Sequence, residues 1–76
     1  MHRRNSKEDL VFISLLKACA KKKDLCTGSK LHVDILKRGL LEGNPYIGSA
    51  IISMYAECGE LSNARQVLEK LPVRHV

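Results

Sequence analysis

The sequence predicts an all-α fold, an α-solenoid of two antiparallel helix-turn-helix hairpins with about four helices in all. Three observations carry that prediction. Apolar residues recur at spacings of three and four in four separate stretches, the mark of amphipathic helices. The chain also overlays on itself: under a shift of 36 positions Leu15, Leu16, Ala20, Asp24, Leu25 and Leu31 fall on Ile51, Ile52, Ala56, Glu60, Leu61 and Val67. Finally, 45% of the residues are hydrophobic but only one Phe, two Tyr and no Trp occur, so the core must be aliphatic, which suits packed helices better than a sandwich.

With 76 residues the chain is one domain at most, and so small a domain has a thin core. Thirteen Lys and Arg against eight acids give a net charge of +5, which permits a polyanionic partner but equally serves solubility. Cys19, Cys26 and Cys58 are an odd set without a CxxC pair, which points to a reducing compartment rather than a disulfide scaffold. No run approaches the roughly 20 apolar residues needed to span a bilayer, so no membrane partner is expected. The opening MHRRNS is basic but too short to be read as a transit peptide.

In the first hairpin, Ser6 followed by Asp9 has the spacing of a capping box and places a helix start near Lys7. Val11, Phe12, Leu15, Leu16, Ala18 and Cys19 then form a stripe broad enough for more than one neighbour. The helix fades at Lys21 to Lys23, where cations suit the negative end of the helix dipole. Asp24 or Thr27 opens the second helix, with Leu25, Gly28, Leu31, Ile35 and Leu36 towards one face and Gly39 as its stop. Glycine costs about 1 kcal/mol relative to alanine inside a helix, so Gly28 reads as a place where the partner helix approaches closely. His32 lies beside that face and reads as a packing histidine, since no ligand cluster surrounds it.

The second hairpin is better punctuated. After a short loop over Leu40 to Gly43, Asn44 and Pro45 pair a capping side chain with a proline at the first helical position. Tyr46, Ile47, Ala50, Ile51, Met54 and Tyr55 carry the periodicity to Cys58, and Gly59 is placed to adopt the left-handed conformation. Leu61, Ala64, Val67, Leu68 and Leu71 form the fourth stripe, which Pro72 ends; Ala64 stands where Gly28 stood, a small residue at each crossing.

A two-helix unit repeated at this period marks an α-solenoid. The segments SLLKACA, SKLHVDILKRGL, GSAIISMYAECG and NARQVLEKLP, in that order and spacing, closely resemble the plant pentatricopeptide repeat proteins of the PLS class, in which long and short motifs alternate. The resemblance runs from Asp9 to Val76. It implies an N-terminal extension over residues 1–8, a long motif over 9–44, a short motif over 45–75, and the start of a further motif at Val76. It also implies a partner, single-stranded RNA in mitochondria or chloroplasts, as in organelle RNA processing or editing factors, with one base read per helical repeat.

In this family the fifth and last residues of a motif set base preference. Those positions are Ile13 with Asn44 in the long motif and Ser49 with His75 in the short one. Ser49 has the hydroxyl that meeting a base edge requires, whereas Ile13 has no hydrogen-bonding group and His75 departs from the usual Asp or Asn. Leu10 and Tyr46 occupy the second position, where the family packs an apolar side chain against a base; ordinary helix packing is the competing reading. The three lysines at Lys21 to Lys23 become candidate phosphate contacts.

Two other functions compete with RNA binding. Helical-hairpin solenoids also grip protein partners, which makes a protein-interaction module the alternative. An enzyme is not expected: there is no HxE with a PCxxC pair, no Gly-rich phosphate loop and no nucleophile motif, and neither cofactor nor metal is called for. Two motifs fall short of the three or more that close a continuous core, so the chain reads as a fragment of a longer array, marginally stable or self-associating through its exposed repeat ends.

Overall fold

The computed structural model describes residues 6–42 and 44–71, and over them the chain forms four α-helices: α1 (Ser6–Lys22), α2 (Leu25–Arg38), α3 (Pro45–Glu57) and α4 (Leu61–Lys70). A short 3₁₀ turn, Leu40–Glu42, fills what the sequence marks only as a loop, and it buries Leu40. Helices α1 and α2 make the first hairpin and α3 and α4 the second. The expected all-α architecture of two helical hairpins is therefore present.

Helix α3 is the centre of the molecule. Ile47, Ile51 and Met54 are fully buried along it, against Phe12, Leu16 and Cys19 of α1 and Ile35 of α2 in one aliphatic core. The broad stripe on α1 divides in two: Phe12, Leu16 and Cys19 face the core, while Val11, Leu15 and Ala18 remain exposed. On α2, Gly28 and Ile35 are buried, Leu31 packs on the core, and Leu36 turns out to solvent.

The helix ends explain the turns. Asp24 caps α2, its Oδ1 accepting the Thr27 backbone N–H at 3.2 Å; that bond, followed by one from the Thr27 hydroxyl, holds the Asp24 carboxyl below its ordinary pKa. Gly39 ends α2 with φ 68°, a left-handed conformation in which its N–H reaches back to the Leu36 carbonyl. Asn44 caps α3, accepting the Tyr46 N–H at 2.9 Å, with Pro45 at the first helical position. Pro72, expected to end α4, lies outside the described residues.

Two sequence expectations are corrected here. α1 is helical from the first described residue, Ser6, beside the expected start near Lys7, but the Asp9 carboxylate does not serve a capping box: it is only 4% exposed and its Oδ2 accepts a hydrogen bond from Asn44 Nδ2 at 2.9 Å. The close approach at Gly28 comes from the other hairpin rather than from α1. A Cβ at residue 28 would lie 2.3 Å from the Met54 sulfur of α3.

Candidate nucleic-acid interface

α1 and α3 lie side by side and run in the same direction. Their N-terminal ends are tied by the Asn44–Asp9 bond, and their C-terminal ends are bridged by Lys23 Nζ and Glu57 Oε1 at 3.8 Å. Between them lies an open groove of about 830 Å³. Helical periodicity decides which side chains reach it. On α3, Tyr46, Ser49, Ala50, Ser53 and Glu57 recur at three- and four-residue intervals; on α1, Ile13, Lys17, Ala20 and Lys21 do the same.

The groove has three kinds of surface. Tyr46 stands 74% exposed at one end, an aromatic face offered to solvent rather than to the core. Ser49 and Ser53 place two hydroxyls one turn apart, each able to donate and accept. Lys17 and Lys21 place two exposed amines one turn apart on the opposite wall, and Ile13 lines the floor as a half-buried apolar contact. An unstacked base against Tyr46, its edge towards Ser49 and its phosphate towards a lysine, is the ligand such a wall arrangement can hold.

The structure brings together three of the six residues singled out in the sequence, Ile13, Tyr46 and Ser49. Leu10 is 61% exposed but does not line the groove. Asn44 does not line the groove either, and both ends of its carboxamide are engaged, Oδ1 by the Tyr46 N–H and Nδ2 by Asp9. His75 lies outside the described residues. The sequence reading missed Lys17 and Ser53, yet the signal was available: each lies four residues beyond a predicted site residue, Ile13 and Ser49, on the same helical face.

On the far side of the molecule, α2 and α4 leave a smaller cleft of about 160 Å³ that includes His32, Tyr55 and Lys70. His32 Nδ1 and the Tyr55 hydroxyl share a hydrogen bond at 2.9 Å, with the rings edge-to-face at 5.5 Å. Burial, and then the charge of Lys70, lowers the His32 pKa, which favours the neutral ring, and the ring packs between the two hairpins. Burial likewise pushes the Cys19 thiol up, with Asp24 adding to the effect, which leaves it a poor nucleophile. Among the described residues no group of three or more His, Cys, Asp or Glu could hold a metal ion, and no helix is long and apolar enough to cross a membrane.

Comparison with known proteins gives one consistent answer. The chain is 44% identical over 64 residues to a mitochondrial pentatricopeptide repeat-containing protein of Arabidopsis thaliana, covering 84% of this chain and 6% of that protein. It is 41% identical over 68 residues to a chloroplastic one from the same plant, covering 90% of this chain and 11% of the relative. A third Arabidopsis relative of the same description is 38% identical over 77 residues, covering all of this chain and 15% of that protein. The chain thus spans a small part of the length of the curated relatives it matches. No family model and no solved structure matches it.

Proposed function

We propose, on the premise that the chain belongs to the pentatricopeptide repeat family, that it binds single-stranded RNA in the groove between α1 and α3. The observation that carries this reading is the grouping of an exposed aromatic, two hydroxyls and two amines on one groove wall and its opposite. Residues 9–44 act as a long motif and 45–75 as a short one, each contributing its first helix to the RNA face. Ser49 and Ser53 meet the base edge, Tyr46 stacks, and Lys17 and Lys21 attract phosphates. Asn44 works indirectly, by tying the N-terminal end of α3 to α1 through Asp9. Relatives named mitochondrial and chloroplastic support an organelle as the place of action, in RNA processing or editing by a longer protein that includes these motifs.

The test is fluorescence anisotropy with a labelled single-stranded RNA at two salt concentrations. Affinity should fall with salt, the logarithmic slope being about −0.7 for each phosphate neutralised, and Lys17→Gln or Lys21→Gln should flatten it. Tyr46→Ala should cost about 1–3 kcal/mol of binding, the range for one stacked base, while Leu10→Ala should leave affinity unchanged. Absence of binding at low salt by chain shown folded by circular dichroism would sink the proposal. Capture of a protein partner that survives nuclease and high salt would favour the protein-interaction module instead.

A further inference from the structure

The two walls of the groove come from matched positions of the two hairpins but differ in charge. The amines that line it from α1 are Lys17 and Lys21; the positions 36 residues further on, which line it from α3, are Ser53 and Glu57. The hairpins differ in the same sense: residues 6–38 carry eight Lys and Arg against four acids, and residues 45–70 carry two against three. Glu57 is thus a carboxylate where the first hairpin has an amine. It is also the one acid among the described residues that line the groove. Its Oε1 is engaged by Lys23 Nζ, 3.8 Å away in the turn after α1, and both side chains are exposed.

We propose that Glu57 limits how much RNA backbone the groove holds. This rests on the RNA binding proposed for the groove and names the residue that sets its strength. A carboxylate at this place acts twice. It repels a phosphate from the position on α3 that matches Lys21, and it occupies Lys23, standing where a phosphate could otherwise stand. The backbone therefore follows the α1 wall, held by Lys17 and Lys21, while α3 contributes hydroxyls and the Tyr46 ring. An exposed pair such as Lys23–Glu57 contributes little to stability, so removing its carboxylate leaves the fold intact and releases an amine to the ligand.

Fluorescence anisotropy with a labelled single-stranded RNA, plotted as log affinity against log salt, tests it. Glu57→Gln should tighten binding at low salt about threefold to tenfold, the scale of one solvated charge contact, and steepen the slope by about 0.7, one further phosphate. Glu57→Lys, which copies Lys21, should add a second step of the same kind. Lys23→Gln should change little in the wild-type chain yet cancel the added slope in the Glu57→Gln chain, because only there is the amine released. Glu69→Gln on α4 is the control. Its carboxylate is exposed and likewise 3.8 Å from a cation, Arg65 Nε, but lies outside the groove, so affinity should shift by less than about twofold. Circular dichroism checks that each variant folds. A Glu57→Gln chain that binds no tighter than wild type, or no tighter than Glu69→Gln, overturns this proposal and leaves RNA binding standing; no binding by any chain, Glu57→Lys included, overturns both.

Discussion

At the end of α1, the Asp24 N–H donates to the Cys19 carbonyl at 2.9 Å and the Lys23 N–H to the Ala20 carbonyl at 3.2 Å; at the end of α3, Glu60 donates to Tyr55 at 2.8 Å and Gly59 to Ala56 at 3.0 Å. These are the same two bonds, the Schellman pattern that satisfies the last carbonyls of a helix. The side chains are divided differently between the two turns. The first hairpin puts Lys23 in the left-handed conformation at φ 56°, where the second has Gly59 at φ 82°. The second in turn begins α4 with Glu60, which makes no side-chain cap bond, where the first has the capping Asp24. Each hairpin thus has a favourable residue where the other has a poor one. Packing of the helices sets the backbone path, and a strained lysine or an absent cap is tolerated within it.

That contrast can be broken most strongly in the core. Ile51→Ala should lower unfolding free energy in urea by about 3 kcal/mol, within the range for emptying a buried aliphatic site. The matched change Leu15→Ala, at an exposed position, should cost under about 1 kcal/mol. Equal effects would mean that the two α-helical stripes are equally buried.

Exchanging turn residues comes next. Gly59→Lys should cost about 1–2 kcal/mol, because the left-handed conformation brings Cβ against the following carbonyl oxygen, and Lys23→Gly should raise stability by up to about 1 kcal/mol. A smaller gain, about 0.5 kcal/mol, is expected for Glu60→Asp, which gives α4 the acceptor that α2 already has. Thermal melts of the two single variants and their combination measure both terms; a melting temperature unmoved by Lys23→Gly would show that the lysine is unstrained.

The smallest effect is a pH dependence that one hairpin has and the other lacks. The His32 pKa is lowered from 6.5 in the folded chain, so the unfolded chain binds the proton more readily. Its contribution to stability is therefore intact above pH 6.5 and declines as pH falls through 6.5 towards the folded value. His32→Leu, copying Leu68 of the second hairpin, should flatten the stability profile between neutral and mildly acidic pH. A profile unchanged by that substitution would assign the dependence to another group.

Much of this molecule was legible in its residues. The Asn44–Pro45 start, the Gly39 and Gly59 stops and the apolar periods foretold the helices because each depends on local chemistry. Ile13, Tyr46 and Ser49 came together because helical spacing and the repeat offset place them on adjacent helices. What escaped was non-local or locally disfavoured. Nothing around Asp9 signals that it will be buried against Asn44, far along the chain, and nothing around Gly28 names Met54 as its neighbour. Lysine rarely signals a left-handed residue, so the first turn was readable only through its likeness to the second.

The two contacts that fasten α1 to α3 at either end differ in their exposure to solvent. At one end, Asp9, 4% exposed, accepts from half-buried Asn44, a bond that salt screens less than an exposed ion pair. At the other, Lys23 and Glu57 are 65% and 59% exposed and 3.8 Å apart, a weak tie that dissolved ions loosen further. Added salt should therefore weaken the tie at the lysine end before it affects the Asp9–Asn44 bond.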